Sequence, residues 1–218
     1  MTRVKICGVR DARTLQLLAA QNVDYVGFVF AASRRRVSPQ AVREMLQRVP
    51  EHPPAVGVFV NPSREELAEA LACVPLQVIQ LHGEEPPDVC AEVRARYQRA
   101  VWKAIRVRDG AALAEEVSRY QPHVDAFLFD TYDPNLAGGT GRRFSWERIP
   151  ELAALAGSVP FFVAGGIDCD NVGSLLTAYA PPAIDVSSGV ETDGVKDEQK
   201  IRTFLERVRE HDHTNGRK

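Results

Sequence analysis

The sequence reads as an α/β chain folded as a single closed (β/α)8 barrel. Eight short β-rich runs recur along its 218 residues, segments with helical spacing separate them, and no linker interrupts the rhythm. The runs are Arg3–Cys7, Asp24–Phe30, Ala55–Val60, Leu76–Leu81, Ala100–Val107, Val124–Asp130, Pro160–Ala164 and Ala183–Ser187. Each begins roughly 20 to 36 residues after the last, enough for one helical crossover between parallel strands. An open doubly wound sheet fits the same alternation, but eight units in so short a chain favour closure.

The elements follow in order. Several runs, such as Val56–Phe59 and Ala126–Phe129, are nearly continuous in apolar residues, as parallel strands covered on both faces require. Helix starts are marked at Ser38-Pro39, Asn61-Pro62-Ser63, Glu85-Pro86 and Asp168, where caps or prolines suit the first turn. Val172, Leu175, Leu176 and Tyr179 form an apolar stripe after the seventh run, and Ile201, Phe204, Leu205 and Val208 form another near the end. Two loops are long: Ala31–Val37 after the second run and Tyr132–Phe144 after the sixth. Both follow strand ends, which in a barrel is the active-site face. The barrel is expected over residues 1–210, with 211–218 as a polar, disordered tail.

Composition narrows the function. Apolar residues make up 44% and charged residues 26%, a globular balance. Lys plus Arg is 27 against 29 for Asp plus Glu, so no broad electrostatic footprint for nucleic acid is expected. The longest apolar runs fall well short of the roughly 20 residues of a membrane span. The start, Met1-Thr2-Arg3-Val4-Lys5-Ile6, holds no apolar signal region, so a cytoplasmic protein is expected. Cys7, Cys73, Cys90 and Cys169 lie far apart with no CxxC pair, and neither a zinc site nor a disulfide framework is expected. No GxGxxG or GxxxxGK[ST] follows any strand, which disfavours nucleotide binding.

The strand ends carry residues unusual for a packing surface. They include Cys7-Gly8, Ser33-Arg34-Arg35-Arg36, Gln80-Leu81-His82-Gly83, Asp130-Thr131, Ala164-Gly165-Gly166 and Asp185-Val186-Ser187-Ser188-Gly189. Glycine turns after strands seven and eight are a common phosphate cradle of barrels, though each also serves as a plain tight turn. Cys7 reads either as a small buried apolar residue or as a thiolate facing a ligand. Asp130 reads either as a turn cap or as a carboxyl kept protonated by the apolar strand it closes. The three arginines suit a solvated run, or one of them a two-pronged grip on a carboxylate. His82 has no second histidine or acid at ligand spacing, so no metal is expected.

Lys5-Ile6-Cys7-Gly8-Val9, Gly27-Phe28-Val29-Phe30 and Gln80-Leu81-His82-Gly83-Glu84 together resemble the phosphoribosylanthranilate isomerase family. So do Phe129-Asp130-Thr131, Gly138-Gly139-Thr140-Gly141 followed by Phe144 and Trp146, and Asp185-Val186-Ser187-Ser188-Gly189-Val190-Glu191. The likeness runs from Arg3 to about Phe204, with the motifs in the family's order. It implies a TIM barrel of tryptophan biosynthesis that performs an Amadori rearrangement on a phosphosugar substrate, with no metal or organic cofactor. It further implies Cys7 as base and Asp130 as acid, and Arg35 against the anthranilate carboxylate. Asp185 would lie near the sugar hydroxyls, and Gln80 and His82 would line the site. Gly165, Gly166, Ser188 and Gly189 would hold the phosphate, with Gly139, Thr140 and Gly141 in a closing loop.

One departure concerns Ser33-Arg34-Arg35-Arg36-Val37-Ser38, where the family has a single arginine before an aromatic residue and one more residue in the loop. Arg34 and Arg36 therefore compete with Arg35 for the carboxylate. Ser145, which stands where the family often has aspartate, is an equally good helix cap. A sister isomerase of the histidine pathway is the main alternative, although its barrels present an aspartate where Cys7 stands. A non-catalytic phosphosugar binder is the other. The chain is expected to act as a monomer or homodimer, without nucleic acid or membrane.

Overall fold

The structure, a computed structural model, describes residues 1–108, 112–131 and 145–215. Eight parallel strands close into a barrel: β1 (Arg3–Cys7), β2 (Tyr25–Val29), β3 (Ala55–Phe59), β4 (Val78–Leu81), β5 (Ala100–Val107), β6 (Ala126–Thr131), β7 (Phe161–Ala164) and β8 (Ala183–Val186). Closure is the pairing of β1 with β8, in which Lys5 lies opposite Asp185. On its other side β1 pairs with β2 and sets Cys7 opposite Gly27. The (β/α)8 expectation is met, with strand limits within a residue or two of those read from sequence.

Strand alternation sorts the core into two layers. Outward residues such as Ile6, Phe28, Ile79, Phe127 and Val163 pack under the helices. Inward residues, among them Val56, Val58, Trp102, Leu128 and Phe162, fill the barrel. Tyr25, Trp102 and Phe162 form an aromatic plug, with Trp102 4.8 Å from Tyr25 and 4.5 Å from Phe162 between ring centroids. Burying one such ring stabilises the fold by about 2–3 kcal/mol.

The helices are α1 (Ala12–Ala20), α2 (Pro39–Arg48), α3 (Arg64–Cys73), α4 (Pro87–Tyr97), α5 (Ala112–Tyr120), α6 (Ile149–Ala156), α7 (Val172–Tyr179) and α8 (Glu198–Asn215). Ser38 caps α2, and Ser63 with Glu66 forms a full capping box on α3. Two starts differ from expectation. Glu85 turns inward, leaving Pro86 at the head of α4 without a side-chain cap. Asp168 instead closes a turn, its Oδ1 accepting from the N–H groups of Asp170 and Asn171, and α7 begins after Asn171. The delay arises because Asn171 braces the loop, donating from Nδ2 to Gly166 O at 2.8 Å. Ser145 precedes a 3-10 turn, Trp146–Arg148, and makes no side-chain cap bond.

Helix α8 continues through residues 211–215, which were expected to belong to a disordered polar tail. There Asp212 accepts the Thr2 N–H with both carboxylate oxygens, at 3.1 and 2.9 Å, and so fixes the helix to the start of β1. A hairpin of β9 (Glu191–Thr192) and β10 (Val195–Lys196) was not anticipated. Its turn places Asp193 and Gly194 at φ of 51° and 77°, the left-handed pair of a tight hairpin. No helix among the described residues is long and apolar enough to cross a membrane.

Candidate active site

The inward positions turn from apolar to polar toward the C-terminal ends of the strands. Lys5 and Cys7 on β1, Gln80 on β4, Asp130 on β6 and Asp185 on β8 occupy this upper layer. Gly27 makes room for two of them, since a Cβ there would lie 2.8 Å from Cys7 Sγ and 3.1 Å from Lys5 Cε. Lys5 is fully buried, and its Nζ donates to Asp185 Oδ2 at 2.8 Å. Asp185 Oδ1, also buried, has no hydrogen-bond partner among the described residues.

Burial pushes the Cys7 thiol above its ordinary range, with Lys5 and Lys196 pulling it back and Asp185 adding to the rise. The thiolate-favouring neighbours are therefore present, but desolvation outweighs them. Burial also raises the Asp185 carboxyl against the pull of Lys5. Lys5 itself is held above the usual ammonium range: burial opposes its charge, and Asp185 and Cys7 together outweigh that cost.

Across the mouth, Gln80, His82 and Asp130 form a chain. Gln80 Nε2 lies 2.8 Å from His82 Nδ1, and His82 Nε2 lies 3.2 Å from Asp130 Oδ2. With the Gln80 amide nitrogen donating, Nδ1 accepts and the ring proton sits on Nε2, directed at Asp130 Oδ2. Gln80 is buried and its Oε1 has no partner among the described residues, whereas His82 and Asp130 are partly exposed. Buried acceptors left open at a barrel mouth suit a polar ligand.

Two glycine turns form the adjoining wall. Gly165 and Gly166, after β7, have φ of 84° and 64°, successive left-handed positions that glycine adopts without strain. Gly189, after β8, passes so close to that loop that a Cβ would sit 1.9 Å from Ile167 O. Ser188 and Gly189 thus face the β7 turn across a short bridge between Asp168 and Gly189. Gly139, Thr140 and Gly141 lie outside the described residues.

Of the three arginines, Arg35 alone is buried. Its Nε donates to Glu191 Oε1 at 2.7 Å and its Nη2 to Oε2 at 2.9 Å. Arg34, more than half exposed, reaches the same carboxylate at 3.3 Å, and Arg36 is exposed. Lys196, buried beside them, donates to Glu191 Oε1 and to Ser187 O. Burial works against the Glu191 charge, but bonds from Arg35 and Lys196 prevail and draw its carboxyl down to about 2. Sequence reading missed Lys5, Glu191 and Lys196. An alternating lysine inside an apolar strand and the Asp193-Gly194 turn were the available signals.

A closed parallel barrel with titratable side chains and glycine turns gathered at its C-terminal mouth has the architecture of a (β/α)8-barrel enzyme. The family model described as "N-(5'phosphoribosyl)anthranilate (PRA) isomerase" matches residues 4–207. The chain is 56% identical over 217 residues to the N-(5'-phosphoribosyl)anthranilate isomerase of Brevibacillus brevis, covering 99% of this chain and 98% of that protein. Among solved structures it resembles the Thermotoga maritima phosphoribosyl anthranilate isomerase, with a TM-score of 0.84, 33% identity, and coverage of 96% of this chain and 100% of that one. A second structure of such an isomerase, in complex with reduced 1-(o-carboxyphenylamino)-1-deoxyribulose 5-phosphate, matches with a TM-score of 0.81 and 32% identity, at the same coverage. The chain belongs to the N-(5'-phosphoribosyl)anthranilate isomerase family.

Proposed function

We propose that this barrel isomerises N-(5'-phosphoribosyl)anthranilate to 1-(2-carboxyphenylamino)-1-deoxyribulose 5-phosphate in tryptophan biosynthesis, with Asp130 as general acid and Cys7 as general base. Asp130 gives its proton to the ribose ring oxygen as the C1–O bond breaks, and the nitrogen lone pair completes an iminium. Cys7 then takes the C2 proton, and the C2–H electrons flow toward nitrogen to leave an enolamine that tautomerises to the ketone.

One observation carries this reading: the Cys7 thiol at the end of β1 and the Asp130 carboxyl on β6 sit at the same barrel mouth, with the buried Asp185 on β8 between their strands. Burial raises the Cys7 thiol above its ordinary range, so the C2 proton is taken by the ionised fraction of Cys7, whose own proton has left to solvent. Lys5 and Lys196 favour the thiolate, and the iminium next to C2 acidifies the proton to be removed. His82, 3.2 Å from Asp130, offers a route for returning the proton. The open Asp185 Oδ1 and Gln80 Oε1 suit sugar hydroxyls. The Gly165-Gly166 and Ser188-Gly189 turns, with Gly139-Thr140-Gly141, would hold the phosphate. Arg35 would meet the anthranilate carboxylate.

The test is turnover of freshly made N-(5'-phosphoribosyl)anthranilate, followed by its fluorescence, for wild type, Cys7→Ala and Asp130→Asn. Each variant should lose about 10²–10⁴-fold in kcat/KM while keeping its fold. A Cys7→Ala protein of near-normal rate would remove the base and keep the family. A wild type inert on this substrate, but active on the aminoaldose of the histidine pathway, would overturn the substrate assignment.

A further inference from the structure

Arginine offers a carboxylate two docking edges, the side edge Nε/Nη2 and the end edge Nη1/Nη2. In Arg35 the side edge is filled by Glu191, through bonds of 2.7 and 2.9 Å. The other end of that carboxylate clamp is fixed as well. Lys196 Nζ donates to Glu191 Oε1 at 2.8 Å and to Ser187 O at 2.9 Å, and Ser187 Oγ donates to Cys7 O at 3.0 Å. The hairpin β9–β10, the end of β8 and the end of β1 are thus linked, with Arg35 at the terminus of the chain. The Arg35 stem crosses directly over Gly8, where a Cβ would lie 2.5 Å from its Cδ, so the guanidinium is held beside the catalytic turn. Side-chain exposure of 4% for Glu191, 3% for Lys196 and 10% for Arg35 leaves little freedom to swing.

Charge is kept along with geometry. Glu191 cancels one of the two buried cations, Arg35 and Lys196, and the cluster stays positive for an incoming anion. From this arrangement, and resting on Arg35 as the carboxylate ligand proposed above, we propose that Glu191 is a positioning residue for substrate recognition. It locks the side edge of Arg35 and presents the end edge to the carboxylate on the substrate's aromatic ring. Selectivity for an ortho-carboxylated N-aryl group over a plain N-phenyl group then depends on a residue that never touches the substrate. An unheld arginine would sample many rotamers, and each binding event would have to order it anew.

Two probes separate this role from a structural one: reduced 1-(o-carboxyphenylamino)-1-deoxyribulose 5-phosphate and its counterpart lacking the ring carboxylate. Dissociation constants are measured by calorimetry for wild type, Glu191→Gln, Glu191→Asp and Arg35→Met, with circular dichroism confirming each fold. Glu191→Gln should weaken the carboxylated probe roughly tenfold or more and leave the other within about twofold. In turnover, KM should rise by a similar factor with kcat changed less than about threefold. Glu191→Asp, which keeps the charge, should restore part of the discrimination, and it serves as the test variant should the glutamine protein fail to fold. Adding Glu191→Gln to Arg35→Met should cost no further discrimination. Equal weakening of both probes would make Glu191 merely structural and overturn the inference. If Arg35→Met itself fails to discriminate, the carboxylate role of Arg35 is the part that fails. If Arg35→Met discriminates and neither Glu191 variant does, the inference alone is lost.

Discussion

Among the buried lysine–carboxylate pairs of the described residues, Lys5–Asp185 and Lys103–Glu85 stand on strands in opposite core layers and are built to opposite specifications. In the outer layer, Lys103 and Glu85 are saturated. Glu85 accepts from the N–H of Asn61 and Gly83 as well as from Lys103, and Lys103 also donates to Gly83 O. Tyr120 closes over them, its hydroxyl bonded to Glu85 O and its ring 5.6 Å from the ammonium. In the inner layer, Lys5 holds one oxygen of Asp185 at 2.8 Å, and the second oxygen has no partner among the described residues. A saturated pair fixes backbone: here it pins the loops after β3 and β4. An open pair keeps hydrogen-bonding capacity for something else. The contrast separates a saturated pair from an open one where residue type and burial do not, since all four side chains are almost fully buried.

The sharpest way to break this contrast is to neutralise each acid in turn. Asp185→Asn should lower kcat/KM by about 10²–10³-fold, because the charged acceptor left open at the mouth is lost, and should cost about 3–5 kcal/mol of stability by stranding Lys5. Glu85→Gln should cost a similar stability by stranding Lys103, while activity per folded molecule stays within about threefold. Steady-state kinetics and urea denaturation on both variants check the pair.

A smaller effect concerns acid stability. The Glu191 carboxyl is depressed from 4.5 to about 2, so its contribution is present in full above pH 4.5 and is lost as pH falls toward 2. The contribution is up to about 3 kcal/mol, and Glu191→Gln should flatten that part of the stability profile. Identical acid limbs for wild type and variant would show that the carboxyl is not held down. Smaller again is the reactivity of Cys7. Its thiol is raised by burial, so alkylation of Cys7 by iodoacetamide should be slow and rise about tenfold per pH unit between about pH 6 and 8. Peptide mapping by mass spectrometry reads the rate, and a plateau in that window would mean a thiolate already formed in the free protein.

How much of this was legible in the sequence follows from what local pattern encodes. The strands, the apolar stripes of α7 and α8, and the strand-end residues Cys7, Asp130 and Asp185 were readable, because periodicity and strand termini are local. The Lys5–Asp185 pair was not, since it exists only once β1 and β8 close the barrel across 180 residues. Glu85 read as a helix start because its burial depends on Lys103, one strand over. Arg35 could be nominated among three arginines, but its buried position beside Glu191 depends on the β9–β10 hairpin, which brings together residues 156 apart in sequence. Residues whose role is set by a partner distant in sequence are the ones that pattern leaves undetermined.

The most direct test replaces the two lysines by a side chain of similar length and no charge. Lys5→Met and Lys103→Met should each cost about 3–5 kcal/mol of stability, since each strands a buried carboxylate. With kcat/KM expressed per folded molecule, Lys103→Met should match wild type within about threefold, and Lys5→Met should lose at least about a hundredfold through its loss of support for the Cys7 thiolate. Equal activity losses in the two variants would contradict the proposed division of this barrel into a saturated supporting layer and an open catalytic one.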